Sequence, residues 1–157
     1  MRVLLVGVGG VGEAIVAIAT QNDPKAEWME VMIVTDYNFD RAIRVVDTIG
    51  DSRLIAKEID ANDKDQIIAL AKEHKIDFIM NACDPSFNMI IFEAALETGC
   101  KYMDMAMSMS ETDKDDPYGT IGLKLGDLQY NQHETWVAKN NLAICGSGVE
   151  PGMINVF

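Results

Sequence analysis

Apolar residues occur along this chain in two alternating patterns, short continuous runs and longer stretches with helical spacing. Runs such as 3–6 and 31–34 are typical of strands buried on both faces, whereas spacing of three or four residues is typical of amphipathic helices. The runs predict strands at 2–6, 30–35, 53–59, 76–80, 101–107 and 142–145. The helical stretches predict helices at 10–20, 39–49, 62–74, 85–98 and 128–139. This alternation predicts an α/β fold, a doubly wound parallel sheet of about six strands with helices on both faces.

The ends of several predicted elements carry recognisable signals. Gly50 and Gly99 follow helices as C-terminal glycines, and Asp84-Pro85 places an N-cap and a proline at the start of the fourth helix. Methionines at 103, 105, 107 and 109 alternate, which predicts that they share one core-facing side of strand five. The polar stretch 108–127 has no period and predicts a long loop, of a kind that is usually functional or mobile.

A glycine-rich segment stands between the first predicted strand and the first helix. Its spacing, G-x-G-x-x-G over residues 7–12, is the signature of a dinucleotide-binding turn in a Rossmann-type fold. Gly7 allows the tight turn, Gly9 lets the backbone approach a pyrophosphate, and Gly12 lets the helix pack closely on the strand. The helix N-terminus, with Gly10 and Val11, offers backbone N–H groups to the phosphates. We assign Gly7, Gly9, Gly10, Val11 and Gly12 to cofactor binding.

An acidic residue ends the second predicted strand. Asp36 lies 24 residues after Gly12, where a carboxylate can accept a hydrogen bond from an adenosine ribose 2′-hydroxyl and would repel a 2′-phosphate. The alternative is that Asp36 only caps the following helix, and the preceding motif favours ribose binding. Arg41 and Arg44 lie just beyond, so NAD is the preferred cofactor and NADP remains possible.

Three further residues lie at the carboxyl ends of predicted strands, where ligands bind in open α/β sheets. Asp60 follows strand three and could meet the adenine amino group, or could instead form a turn before the third helix. Asn81 and Ala82 follow strand four, where the ribose and nicotinamide of the cofactor should pass. We include all three in the predicted cofactor site.

Two acidic residues are the candidates for catalysis. Asp104 stands within an apolar strand, where a buried carboxylate is costly unless paired. It could perform acid–base chemistry at a substrate, or it could bind loop backbone N–H groups and hold the site open, and we favour the second role. Glu150 lies in a Gly/Pro-rich turn and could face a substrate at a domain junction or cap a following helix.

Composition excludes several other functions. With 13 basic and 25 acidic residues the formal charge is −12, which disfavours nucleic acid and anionic membranes as partners. We expect no transmembrane helix, no signal peptide and a cytoplasmic protein. Cys83, Cys100 and Cys145 lack metal-ligand spacing and should be reduced thiols, so no metal is expected.

The length of 157 residues suits one domain. After the turn at 146–152 an apolar segment begins, which would open a helix too short to hold itself in water. We therefore expect a single dinucleotide-binding domain over 1–157, belonging to a longer protein whose substrate domain follows it.

Several motifs together resemble the saccharopine dehydrogenase-like family, which includes saccharopine reductases, carboxynorspermidine dehydrogenase and lysine 6-dehydrogenase. They are the glycine turn, NACDP at 81–85, EAALETGCKYMD at 93–104 and GSGVEPGMIN at 146–155. The resemblance implies a nicotinamide-dependent oxidoreductase acting on C–N bonds of amino acids or polyamine precursors. It also implies a second α/β domain for substrate binding and dimerisation and a homodimer at full length. By position, Asp104 matches an aspartate of the family near the nicotinamide end.

Two other classes of function share part of this pattern. A non-catalytic NAD(H)-binding or sensing module would need the same glycine turn, although the segments around Asp104 and Glu150 favour the enzyme. An S-adenosylmethionine methyltransferase is disfavoured, because its glycine loop more usually has G-x-G-x-G spacing.

Overall fold

The computed structural model describes residues 1–149 and 152–156, and over this range it has the expected alternation of strands and helices. The strands are β1 (Arg2–Val6), β2 (Val31–Asp36), β3 (Leu54–Glu58), β4 (Phe78–Asn81), β5 (Lys101–Asp104) and β6 (Ala143–Ile144). They form a parallel sheet in the order β3-β2-β1-β4-β5-β6. This is the doubly wound order of a dinucleotide-binding fold, so the predicted fold class is confirmed.

The helices connect these strands. They are α1 (Gly10–Asn22), α2 (Phe39–Ile49), α3 (Lys64–Glu73), α4 (Asn88–Thr98), α5 (Asp127–Tyr130) and α6 (His133–Ala138), with 3-10 turns at Pro85–Phe87 and Met153–Asn155. Gly50 and Gly99 end α2 and α4 in the left-handed conformation, at φ 68° and 76°. Asp84 caps the turn before α4 by accepting from the Ser86 N–H, so these predicted helix signals are confirmed.

The sheet is buried on both faces because successive side chains of each strand point to opposite sides. Leu4 and Val6 of β1 pack with α3 and α4, whereas Val3 and Leu5 pack with residues of α1 and α2. All six residues of β2 are buried. The continuous apolar runs of the sequence therefore correspond to central strands covered by helices on both sides.

An ion-pair cluster fixes the connection between α1 and β2. The buried carboxylate of Asp23 accepts hydrogen bonds from the N–H groups of Glu27 and Met29 at 2.7 and 2.9 Å. Arg53 binds Asp23 at 3.0 Å and Asp51 at 2.7 Å. This cluster lies at the opposite end of β2 from Asp36.

Strand five is shorter than expected, because β5 ends at Asp104 rather than at residue 107. The prediction that the alternating methionines share one side of strand five is wrong, since only Met103 of that set lies in a strand. Asn88 donates to the Ala106 carbonyl and Gln129 accepts from the Ser108 N–H, so side chains instead of a neighbouring strand satisfy this backbone.

The predicted single helix over 128–139 is two short helices. Gln132 and Thr135 donate their N–H groups to Gln129 and Gln132, three residues back, so the chain turns with 3-10 geometry between α5 and α6. The predicted loop before them is closed at its base, because the Gly126 N–H donates to the Ser108 carbonyl at 2.8 Å. In addition, Glu111 and Leu123 form an antiparallel bridge.

Among the described residues, none of the helices is both long and apolar enough to cross a membrane. The turn that contains Glu150 is described only in part. Glu150 itself lies outside the described residues, and its predicted role stays a prediction.

Candidate functional site

A cavity of about 760 Å³ opens at the carboxyl ends of β1, β2, β3 and β4. Parallel sheets bind ligands at this edge, because the loops that leave the strands diverge around the point where the strand order reverses. The cavity is lined by Val6, Gly7, Gly9, Asp36, Tyr37, Arg41, Glu58, Ile59, Asp60, Ala61, Asn62, Gln66, Ala82, Cys83, Asp84 and Phe87. The site thus brings together the glycine turn with three of the residues predicted from the strand ends, Asp36, Asp60 and Ala82.

The glycine turn begins with a backbone conformation that favours glycine. Gly7 has φ of 91°, and a Cβ there would come within 2.8 Å of the Cys83 sulfur. Gly12 lies against the Gly7 carbonyl so closely that a Cβ would overlap it. The two glycines allow α1 to pack directly on the end of β1, as the motif predicts.

Gly9 is glycine for a different reason. Apart from Gly9 and its two chain neighbours, no heavy atom of the described residues lies within 4 Å of the position that a Cβ on Gly9 would occupy. Gly9, Gly10 and Val11 are exposed at the start of α1, and no side chain of the described chain caps this helix. The turn therefore leaves an open space in front of an uncapped helix N-terminus, which is suited to an anionic group.

Asp36 is 4% exposed and lies between the glycine turn and α2. Its carboxylate accepts from the Val8 N–H and the Asn38 N–H, each at 3.0 Å. The N-cap of α2 is Asn38, which accepts from the Arg41 N–H at 3.3 Å. The capping alternative for Asp36 is therefore wrong, while its role at the ribose stays a prediction.

Arg41, in the first turn of α2, lines the cavity next to Asp36. Its guanidinium is 3.4 Å from both oxygens of Asp36 and 5.6 Å from the centre of the Tyr37 ring. The neighbouring Asp36 charge raises the pKa of Arg41. The second arginine considered, Arg44, instead pairs with Glu13 at 3.6 Å and does not line the cavity.

Asp60 stands at the far end of the cavity, after β3. Its carboxylate accepts from the backbone and side-chain nitrogens of Asn62 at 2.9 and 3.1 Å. The N-cap of α3 is Asp63, not Asp60. Asp60 therefore forms a local turn and lines the cavity at the same time.

Asn81 and Ala82, at the end of β4, have different positions relative to the cavity. Ala82 lines the cavity, whereas the Asn81 side chain is buried and turns into the protein. Its amide donates to Asn88 at 2.7 Å and to the Tyr102 hydroxyl at 3.2 Å, and its oxygen accepts from the Cys83 N–H at 2.9 Å. The structure thus places the Asn81 side chain behind the cavity wall.

Asp104 is the centre of a buried polar network and is 1% exposed. Its carboxylate accepts from the Gly146 N–H at 2.6 Å, the Gln129 amide at 2.7 Å and the Tyr102 hydroxyl at 2.9 Å. Burial raises the pKa of Asp104, and these three hydrogen bonds oppose that change. Asp104 is separate from the cavity-lining residues and joins β5 to the loop after β6.

The network and the cavity both contain residues that the sequence did not indicate. Gln129 follows Asp104 by 25 residues, and no local pattern marks it as a partner of a carboxylate. Phe87, Ile59 and Glu58 line the cavity, yet in sequence they look like ordinary core or surface positions. Strand register alone could have suggested Glu58, because it pairs with Asp36 on the neighbouring strand.

The thiols and histidines form no metal centre in the described chain, where groups of three or more potential ligands are absent. Cys83, Cys100 and Cys145 are unpaired, and only Cys100 is fully buried. Burial, reinforced by Asp36 and Asp84, raises the pKa of Cys83 to about 12, so this thiol beside the glycine turn is protonated at neutral pH.

A glycine turn before an uncapped helix, an acid ending the second strand and a cavity over a parallel sheet define the class of this chain, a dinucleotide-binding domain. Residues 3–144 match the family described as "Saccharopine dehydrogenase NADP binding domain". The chain belongs to this family, and it is a nicotinamide-dinucleotide-binding domain. The resemblance drawn from its motifs is therefore confirmed.

Two carboxynorspermidine synthases are similar to the whole chain. The protein from Vibrio alginolyticus is 28% identical over 162 residues and the protein from Vibrio cholerae is 24% identical over 165 residues. In both cases the alignment covers 100% of this chain and 38% of the relative. The chain thus spans well under half the length of these relatives.

Among solved structures, apo saccharopine dehydrogenase (L-Glu forming) from Saccharomyces cerevisiae has a TM-score of 0.69 and 15% identity. The match covers 96% of this chain and 28% of that one. At this identity the likeness concerns the fold alone, and this chain corresponds to less than a third of that longer protein.

Proposed function

We propose that this chain holds NAD(H), in preference to NADP(H), along the carboxyl edge of its sheet. In the whole protein it would serve an oxidoreductase that acts on C–N bonds of amino acids or polyamine precursors. The observation that carries the proposal is the pairing of a left-handed Gly7 with an open space at Gly9 on the rim of a 760 Å³ cavity.

The pyrophosphate would lie at the start of α1. Gly9, Gly10 and Val11 present their backbone there with no side chain in the way, and the positive end of the helix dipole favours an anion. Gly12 contributes indirectly, because it seats the helix against the turn.

The adenosine would occupy the part of the cavity between β2 and β3. Asp36 lines the cavity, and a carboxylate can accept about four hydrogen bonds, of which the Val8 and Asn38 N–H groups take two. The ribose hydroxyl would donate to Asp36 in place of the two 3.4 Å contacts from Arg41. Ile59 and Phe87 supply apolar walls for a flat base, and Asp60 lies where it could accept from an exocyclic amine.

The nicotinamide half would extend past Ala82 toward the ends of β4 and β5. When bound, the cofactor supplies or accepts a hydride at its nicotinamide ring. Asp104, buried and engaged by three donors, is assigned to positioning the loops around that end, and Glu150 remains the second catalytic candidate. A protein acid or a water would handle the proton on the substrate nitrogen.

Two names support the substrate class, since carboxynorspermidine synthases are among the proteins similar to this chain and the matched family is described by saccharopine dehydrogenase. A small-molecule amine or amino acid is the proposed partner. A homodimer at full length and a cytoplasmic location remain part of the proposal, and nucleic acid and membrane surfaces are not expected partners for a chain with formal charge −12.

Calorimetric titration of the chain with NADH and with NADPH tests this function. We expect saturable binding of NADH and weaker binding of NADPH. Absence of binding by both dinucleotides, to the chain and to the longer protein that contains it, would overturn the assignment. Screening the longer protein with NADH and imines formed from amino acids or diamines would then test the reaction class.

A further inference from the structure

We infer that Glu58 is a second residue selecting against a 2′-phosphate, acting beside Asp36 at the adenosine end of the cavity. The inference rests on the proposed dinucleotide site and adds a residue that the cofactor signature does not contain. It makes cofactor selection a property of two adjacent strand ends rather than of one.

Strand register places the two carboxylates side by side. Asp36 and Glu58 are the last residues of β2 and β3 and are paired in the parallel ladder. The preceding pair on the same face, Val34 and Ala56, packs in the core beneath α1 and α2. Because side chains alternate along a strand, Asp36 and Glu58 leave the sheet on the same face, with strands about 4.8 Å apart.

Both side chains line the cavity, but their surroundings differ. Asp36 is buried and held by Val8, Asn38 and Arg41, whereas Glu58 is exposed. The neighbouring cations are already engaged, since Arg41 pairs with Asp36 and Lys57 pairs with Glu73. In the described chain, Glu58 therefore has no ion-pair partner that would offset its charge at the rim.

The charges around the cavity also disfavour a 2′-phosphate. Its described lining contains the carboxylates of Asp36, Glu58, Asp60 and Asp84 and a single guanidinium, that of Arg41. A 2′-phosphate would add nearly two negative charges next to the ribose. Arg41 can neutralise Asp36 or approach that phosphate, but a contact with one weakens its contact with the other. In either case the negative charge of Glu58 is not neutralised.

Two small probes isolate this end of the site. Adenosine 5′-monophosphate and adenosine 2′,5′-bisphosphate differ only by the 2′-phosphate, and neither needs the nicotinamide half. We expect the chain to bind the monophosphate about tenfold more tightly at low salt. Raising the salt from about 10 mM to about 300 mM should narrow this ratio, because screening weakens repulsion between exposed charges.

The decisive variant is Glu58→Gln, with Glu134→Gln as the matched control. Glu134 is an exposed glutamate on α6 and does not line the cavity, so its substitution changes the net charge equally. We expect Glu58→Gln to narrow the probe ratio at least about threefold, because the loss of its charge should strengthen binding of the bisphosphate more than binding of the monophosphate. Glu134→Gln should leave the ratio unchanged.

The outcomes separate this inference from the proposed function. The inference is overturned if the unaltered chain binds the bisphosphate as tightly as the monophosphate, or more tightly. It is also overturned if Glu58→Gln does not change the ratio of the two affinities. In both cases the dinucleotide site would stand. If neither probe binds while NADH does, the adenosine placement is wrong and the inference fails with it. If NADH also fails to bind, the site itself is refuted.

Discussion

The carboxylate of Asp36 accepts a hydrogen bond from the backbone N–H of Val8 at 3.0 Å. This bond connects the end of β2 to the centre of the glycine turn across 28 positions of sequence. The acid expected at the ribose thus also supports the loop expected at the pyrophosphate. The two halves of the predicted signature are physically coupled.

Replacement of Asp36 by alanine should therefore have two effects. It removes the proposed ribose acceptor and frees the Val8 N–H, so NADH binding should weaken by about tenfold and the preference for NADH over NADPH should shrink. Calorimetry with both dinucleotides measures this. Asn38→Ala is the control, because it removes the α2 cap at a cost of about 1 kcal/mol of stability without altering the turn. An unchanged NADH/NADPH ratio in Asp36→Ala would remove Asp36 from the ribose site.

Two glycine substitutions in the same turn should behave differently. Gly9→Ala adds a methyl group to open space, so it should leave thermal stability nearly unchanged and weaken dinucleotide binding at least tenfold by crowding the phosphates. Gly12→Ala pushes α1 away from the Gly7 carbonyl and should cost about 2 kcal/mol or more in the free energy of unfolding. Thermal unfolding and NADH titration of both variants check the contrast. Undiminished NADH affinity in Gly9→Ala would contradict the phosphate assignment.

Asp104→Asn should destabilise the protein although it changes a single atom. Gln129, Tyr102 and Gly146 all donate hydrogen bonds to the carboxylate. An amide NH2 in place of one carboxylate oxygen would leave at least one of these donors without an acceptor. We expect a loss of about 1–3 kcal/mol in denaturant unfolding. The exposed Asp47→Asn on α2 is the matched control and should unfold like the original chain. Equal stability of both variants would mean that the network is not formed as described.

Stability should fall in acid because of the cluster around Arg53. Burial by itself would raise the pKa of Asp23, but hydrogen bonds from Met29, Glu27 and Trp28 and the charge of Arg53 outweigh it, so the pKa is lowered. The Arg53 side chain likewise lowers the pKa of Asp51. A carboxyl group with a folded pKa below its unfolded value contributes stability above about pH 4, and this stability is lost as the pH falls through the folded pKa.

Melting temperatures measured from pH 7 to pH 3 check this prediction. The loss on acidification should be smaller in Asp51→Asn, which lacks one titrating partner of Arg53. Asp104 acts in the opposite direction, since its raised pKa favours the protonated folded state. A variant with the same pH dependence as the original chain would show that the Arg53 cluster does not govern acid sensitivity.

The sequence predicted the features that depend on neighbouring residues. The continuous runs that form β1 and β2, the glycine turn and the helix ends at Gly50 and Gly99 are all local, and the structure has them. The end of β5 could not be predicted in this way. The strand ends at Asp104 because the side chains of Asn88 and Gln129, distant in sequence, make the hydrogen bonds to the following backbone that a neighbouring strand would otherwise make.

The site was predictable to the same extent. Gly7, Gly9 and Asp36 follow from a motif with fixed spacing, and they line one cavity. Asn81 was placed at the correct strand end, but its side chain turns inward because Asn88 and Tyr102 offer it partners. Glu58 needed the strand register, which a linear sequence does not give.

The long loop between β5 and α5 is closed at its base by the Gly126–Ser108 hydrogen bond, so its two ends are held about as far apart as neighbouring strands. A segment anchored in this way can change in length or composition while the sheet beneath it keeps its geometry. Tyr118 and Ile121, both strongly exposed, lie within it. The loop is therefore a natural place to graft a peptide tag or reporter into the domain, and a position where homologous proteins have room to diverge.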